Sequence, residues 1–184
     1  MAHLASLKST VTVIAVSPCI ERGKKVTIAV YPGTFDPITN GHLDIAVRAS
    51  RLFDKVIIGV YNIPDKHLMF STSERVELVK KAVADYPNIE VTSFGGLIVE
   101  FAKKIGALTI VRGLRFGADF EHEFEMAMMN KKLWPGFELI CLMANPQYQF
   151  LSSSLLKEVA SMGADIENLV PPHVAEALTK KLRD

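Results

Sequence analysis

Two cysteines in 184 residues are too few for a disulfide framework, and no Cys/His set has zinc-ligand spacing. Cys141 sits in the apolar run Leu139–Met143 and reads as a small buried hydrophobe; Cys19 stands near the amino end. Such usage fits a reducing compartment, so a cytoplasmic location is expected. No apolar run approaches the ~18 residues that a membrane span needs, so no membrane is expected as a partner. One-sided charge is missing as well. The 21 basic and 20 acidic residues sum to +1 without any basic run, which argues against nucleic acid. Small phosphorylated ligands stay open, since a local Lys/Arg cluster can hold them at any net charge. What is there is an ordinary globular mixture, 22% charged and 49% hydrophobic, which excludes a disordered chain. Residues 1–24 read as an appended tail: Val11–Val16 is apolar but short for a signal peptide, and a misassigned start would look the same. Residues 25–184 are expected to form a single domain.

The most informative stretch is Tyr31-Pro-Gly-Thr-Phe-Asp-Pro-Ile-Thr-Asn-Gly-His42, preceded by the apolar run Lys25–Val30. The run suits a short strand buried on both faces. Pro32 and Gly33 are expected to stop it, and Asp36-Pro37 to make a second turn. Thr39 or Asn40 can then cap a helix with Leu43, Ile45, Ala46, Val47, Ala49 and Leu52 as apolar positions. A helix start offers free N–H groups and partial positive charge to phosphate. Gly41 is read as letting a ligand approach the backbone. His42, in the first turn, either bonds backbone or aims its ring at that ligand.

Further along, Lys55–Tyr61 is a second strand and Asn62–Phe70 a loop; Ser71-Thr-Ser-Glu74 is a capping box opening a helix to about Asp85. Ile89–Phe94 is a third strand. Gly95-Gly96 breaks the chain before a short helix, Leu97–Ile105, which Gly106 ends. Ala107–Val111 is a fourth strand. Asp119 is expected to cap a long helix to Leu133 that buries Phe120, Phe124, Ala127 and Met128, while Met126, Met128 and Met129 suit core or a subunit interface. Glu138–Met143 is a fifth strand, Ser152–Ser154 begins another helix, and Pro171-Pro172 begins the last. Five alternations of strand and helix predict an α/β, Rossmann-like, doubly wound five-stranded parallel sheet with helices on both faces. Ligands of such sheets bind outside the carboxyl ends of the strands. There the chain places Thr34–His42, Lys66-His67, Gly95–Leu97, Arg112–Arg115 and Tyr148–Ser154. One histidine, a lysine, two arginines and a hydroxyl cluster form an inventory for phosphate groups.

These residues resemble the bacterial phosphopantetheine adenylyltransferases. YPGTFDPITNGH is close to that family's signature, and Thr39-Asn-Gly-His42 resembles the T-x-G-H motif of a wider nucleotidyltransferase group. Arg112-Gly-Leu-Arg115, Asp119-Phe-Glu-His-Glu123 and Ser152-Ser-Ser-Leu-Leu-Lys-Glu158 match in order. The resemblance implies transfer of the adenylyl group of ATP to 4′-phosphopantetheine, giving dephospho-coenzyme A and pyrophosphate, without a covalent intermediate. It implies His42, Lys66, Thr34 and Arg115 as catalytic residues. Thr34, Lys66 and Arg112 would hold the acceptor phosphate, with Leu97 and Ile98 along the pantetheine arm. ATP would be held by Thr34, Phe35, His42, Gly113, Leu114, Arg115, Glu123 and the turn Tyr148, Gln149, Phe150, Leu151, Ser152, Ser153 and Ser154. Mg²⁺ carried by phosphates and water, feedback inhibition by coenzyme A and a homohexamer are also implied.

Three departures from the family's pattern stand out: His122 where tyrosine is common, His67-Leu68 instead of a second lysine and proline, and Gly95 instead of an acid. Plainer readings stand beside the functional ones. Glu123 can complement the helix dipole, Ser152–Ser154 can be a cap, and Lys66 can be a solvated loop lysine. Two rival functions share the motifs: a transferase with another acceptor, such as nicotinate mononucleotide or glycerol 3-phosphate, and a nucleotide- or coenzyme A-sensing module without catalysis.

Overall fold

A computed structural model describes residues 26–62 and 68–183; Lys66, His67 and the tail at 1–24 lie outside the described residues. The elements follow in chain order as β1 (Ile28–Gly33), α1 (Asn40–Ser50), β2 (Lys55–Tyr61), α2 (Thr72–Ala82), β3 (Ile89–Phe94) and α3 (Ile98–Lys104). Then come β4 (Thr109–Leu114), α4 (Gly117–Leu133), β5 (Glu138–Met143), a 3₁₀ turn at Pro146–Tyr148, α5 (Ser153–Ser161) and α6 (Pro172–Arg183). All five strands are parallel, in the order β3-β2-β1-β4-β5. Chain direction across the sheet reverses between β1 and β4, which is the switch point where such sheets bind ligands.

Burial explains the composition of β1. Ala29 and Tyr31 join one core with Ile45, Ala46 and Ala49 of α1, Val79 of α2, Leu156 of α5 and Leu178 of α6. Val30, pointing the other way, joins Val99 and Ala102 of α3 with Ile110 and Phe137. A strand covered on both faces has no use for alternation.

Pro32 and Gly33 do not stop β1. They stay in it, paired with Gly59 and Val60 of β2. Against β4 the ladder runs only through Ala29↔Thr109 and Val30↔Ile110. Beyond that point Pro32 has no N–H to donate. Its carbonyl is taken at 2.8 Å by the Arg112 side chain instead. The strands therefore part at their carboxyl ends, and a crevice opens there. For the same reason β4 outlasts the expected Val111: Arg112, Gly113 and Leu114 keep pairing with Cys141, Leu142 and Met143 of β5.

Two further expectations are corrected on α4. Asp119 is not its cap, since the helix starts at Gly117 after Phe116; the carboxylate reaches back to Arg115 instead. The buried residues are Glu123 and Asn130, whereas Phe120, Phe124 and Met128 are exposed. Periodicity identified a stripe but not what covers it: the side of α4 facing the sheet also faces the crevice, and is polar for that reason.

Candidate active site

The crevice is a cleft of about 900 Å³, lined from every segment that follows a strand on this edge: Thr34, Phe35, Leu97, Arg115 and Tyr148 among them. One end is charged. The other, formed by Ile98, Ile110, Ala127, Phe137 and Leu139, is apolar.

His42 stands at the third position of α1, and its environment fixes its chemistry. Thr39 caps the helix in a box that His42 closes with its own side chain. The Thr39 N–H donates to His42 Nδ1 at 3.1 Å, and the Thr39 hydroxyl lies 3.0 Å from the same nitrogen. A ring nitrogen that accepts an N–H carries no proton, so the proton is on Nε2. The bonded and the ligand-facing readings of this residue are thus compatible. Burial, then the charges of Arg115 and Arg112, push the imidazole down to about 4. It is a neutral donor at physiological pH. Phe35 packs edge-on against the ring at 5.2 Å and does so from a left-handed backbone, φ 51°. Gly41 lies in the cleft lining, and protein crowds it as well: a Cβ there would lie 3.3 Å from the Tyr148 Cβ.

Among the described residues around this imidazole, Arg112, Arg115 and Lys157 each have a carboxylate partner. Arg112 binds Glu123 through Nε at 2.7 Å and Nη2 at 2.6 Å. Arg115 makes a bidentate pair with Asp119, 3.0 Å from Nε and 3.1 Å from Nη2, and Nη1 reaches the Leu151 carbonyl at 3.4 Å. Burial would raise the Asp119 carboxyl, but hydrogen bonds from the Arg115 side chain and backbone outweigh it and hold that carboxyl low. Lys157 of α5 meets the buried Asp36 at 2.5 Å. An arginine has five N–H donors, and among the described partners each arginine of the cleft uses three of them on protein. Two on each remain for a ligand.

The structure brings Thr34, Phe35, His42, Leu97, Ile98, Arg112, Gly113, Arg115, Glu123, Tyr148, Leu151, Ser152, Ser153 and Ser154 to the cleft. Leu114, Gln149 and Phe150 are not in its lining; Leu114 is buried and Phe150 is exposed. Ser152 is the cap of α5, and the Ser153 hydroxyl donates to the Pro37 carbonyl at 2.8 Å, locking this helix to the β1 turn. Of the departures, His122 lines the cleft. Gly95 has only the Asn62 carbonyl near its Cβ position, at 4.0 Å, so sterics leave room for a side chain.

Residues 30–159 match the cytidylyltransferase-like family. Over 155 residues the chain is 54% identical to a phosphopantetheine adenylyltransferase of Dehalococcoides mccartyi, covering 84% of this chain and 98% of the relative. With the Herpetosiphon aurantiacus protein of the same name, identity is 51% over 153 residues, 83% of this chain and 93% of that one. This chain belongs to the phosphopantetheine adenylyltransferase family. The fold extends to solved structures of lower identity. A putative nicotinate-nucleotide adenylyltransferase from Vibrio parahaemolyticus aligns with TM-score 0.63 and 19% identity over 84% of this chain and 99% of its own. A bifunctional NMN adenylyltransferase/ADP ribose pyrophosphatase from Francisella tularensis gives 0.66 and 14% over 87% and 51%. At such identities the likeness concerns architecture alone.

Sequence reasoning gave no site role to three charged residues: Asp36 and Lys157, both within the quoted motifs, and Arg75. The first two close the β1 turn against α5. Arg75 is 1% exposed, and its signal was its place on the apolar stripe of α2, three and four residues before Leu78 and Val79.

The depressed imidazole has a sign that can be checked. Below pH 6.5 an unfolded chain takes up a proton that the folded His42 refuses until about 4. Its contribution to stability is therefore complete above 6.5 and is lost as pH falls to 4. Two-dimensional ¹⁵N NMR of the ligand-free protein should show His42 protonated at Nε2, with a titration midpoint near 4. A midpoint near 6.5, or an Nδ1–H tautomer, would contradict this environment.

Proposed function

We propose that this chain transfers the adenylyl group of ATP to 4′-phosphopantetheine, giving dephospho-coenzyme A and pyrophosphate, by direct in-line attack. A phosphate oxygen of the acceptor bonds to the α-phosphorus, and the bond from that phosphorus to the pyrophosphate oxygen breaks. The nucleophile is already an anion, so no base is needed. What the step needs is a donor for charge growing on the α-phosphoryl oxygens, and cations for the leaving pyrophosphate. The observation that supports this reading most is the neutral His42, its proton on Nε2, among cations that each keep spare donors.

In this reading His42 donates to the α-phosphate. Thr34 and Lys66 hold the acceptor phosphate with Arg112 beside it, and Arg115 with the Ser152–Ser154 turn takes the β- and γ-phosphates. Gly113, Glu123 and Tyr148 shape the nucleotide site. The pantetheine arm lies along Leu97 and Ile98 and into the apolar end of the cleft. The acids in the lining, Asp36, Asp119 and Glu123, are each engaged by a cation, and no group of three His, Cys, Asp or Glu that could hold a metal lies among the described residues. Mg²⁺ fits such a site as an ion held by phosphate oxygens and water, and when bound it neutralises charge on the triphosphate. Coenzyme A, which joins both substrates' moieties, fits the same cleft as a feedback inhibitor. The reaction belongs in the cytoplasm, where ATP is at hand; among the described residues no helix is long and apolar enough to cross a membrane.

Assembly as a homohexamer is supported by the bare side of α4, where Phe120, Phe124, Met128 and Met129 are each more than half exposed. A patch this apolar on one helix marks an interaction site.

A coupled pyrophosphate assay with ATP and each of three acceptors tests the function. Turnover is expected with phosphopantetheine and not with nicotinate mononucleotide or glycerol 3-phosphate; no turnover with any would favour a sensor. His42→Ala should lower kcat by ~10² or more with ATP binding almost unchanged, as loss of one oxyanion donor does. Light scattering should give about six times the 20.3 kDa chain, with Phe124→Glu reducing the mass. A monomeric wild type would remove the hexamer.

A further inference from the structure

Arg75 is the largest fully buried side chain among the described residues. It sits on α2, one layer behind the cleft, and is absent from its lining. A guanidinium is costly to bury, and an apolar side chain of similar volume would stabilise the fold as well or better. What it offers is directed bonds. Nη1 donates to the Thr34 carbonyl at 2.6 Å and to the Tyr61 carbonyl at 2.9 Å, Nε to the Phe70 carbonyl at 3.2 Å, and Nη2 to the Thr72 hydroxyl at 2.9 Å. Three of the acceptors are main-chain carbonyls at the carboxyl edge of the sheet, from the β1 turn, the end of β2 and the approach to α2. One planar fork sets the spacing of all three.

The Thr34 carbonyl matters most. In a trans peptide the carbonyl and the following N–H point to opposite sides, so fixing it also fixes the Phe35 N–H. Phe35 is left-handed, a conformation that persists only where its surroundings impose it. Those surroundings are bonds on either side. Arg75 holds Thr34, while Asp36 is held by the Met69 and Phe70 N–H groups and by Lys157. The ring so placed is the one packed edge-on against His42.

We propose that Arg75 is a positioning residue for adenylyl transfer: it holds the Thr34–Phe35 peptide, and through the Phe35 ring the His42 imidazole, where the transfer step needs them. The inference rests on the transfer reaction proposed above. Arg75 touches no reacting atom and transfers no proton.

The test uses the full chain with two variants. Arg75→Lys keeps the charge and loses the fork. Thr72→Val deletes one of the four acceptors, together with the bond that the Thr72 hydroxyl donates to Asn62 Oδ1 at 3.0 Å, and leaves the cleft lining intact. For folded Arg75→Lys, kcat with both substrates saturating should fall tenfold or more. Its ATP dissociation constant by calorimetry should stay within threefold, and its His42 ¹⁵N resonances should move. Thr72→Val should show the same split more weakly, with kcat down two- to fivefold, and it decides the matter if Arg75→Lys does not fold. A purely structural Arg75 predicts otherwise: lower melting temperatures, with kcat per folded molecule and the His42 resonances unchanged. That result in Thr72→Val and in any folded Arg75→Lys overturns the proposal. Wild-type turnover is measured first. An inactive wild type strikes the transfer reading itself, whereas an active wild type with equally active variants strikes only the role of Arg75.

Discussion

One hydrogen bond, from the Thr39 N–H to His42 Nδ1, decides what kind of site this edge of the sheet can be. It occupies one ring nitrogen and thereby assigns the proton to the other. Burial and two nearby guanidiniums make a second proton unfavourable. The imidazole is left as an uncharged donor on a rigid helix start, braced by the Phe35 ring. A charged histidine here would repel Arg112 and Arg115; a tautomer with its proton on Nδ1 would break the helix cap. Cap, charge and chemistry are one constraint.

The cations obey a related logic. Arg112, Arg115 and Lys157 would repel one another across an empty cleft, and Glu123, Asp119 and Asp36 balance them one to one. A hydrogen bond to a charged partner contributes about 1.5–3 kcal/mol, more than a neutral one. The side chains are thus in place before a ligand arrives, and phosphate binding need not order them. Geometry follows from the same residues. Pro32 ends the ladder between β1 and β4, and Arg112 spans the gap that it leaves. The opening between the strands and the charge beside it have a common origin.

Much of this was legible in the sequence. β2, β3 and β5 lie where the sequence reading placed them, and the capping box at Ser71 opens α2. The convergence of the segments after the strands followed from the α/β alternation alone. The rest was hidden for physical reasons. Pro32 reads as a breaker, yet a proline survives in a strand on the side where pairing stops. Arg112 reads as the end of a buried strand, although β4 carries it onward because its head group leaves the sheet for Glu123. On α4 the aromatic stripe looked like core, but the hydrophobic period cannot tell a covered side from one left open. Arg75 was overlooked because an arginine on an apolar stripe looks like noise until the carbonyls that it gathers are seen.

The central claim is that the site works by placement and charge alone, with the acceptor phosphate attacking the α-phosphorus in a single step. The stereochemistry at that phosphorus tests it most directly. ATP made chiral at the α-position with sulfur or oxygen isotopes, turned over with phosphopantetheine and read by ³¹P NMR, should give dephospho-coenzyme A with inverted configuration. Retention would mean two displacements through an adenylylated enzyme, and would contradict the account.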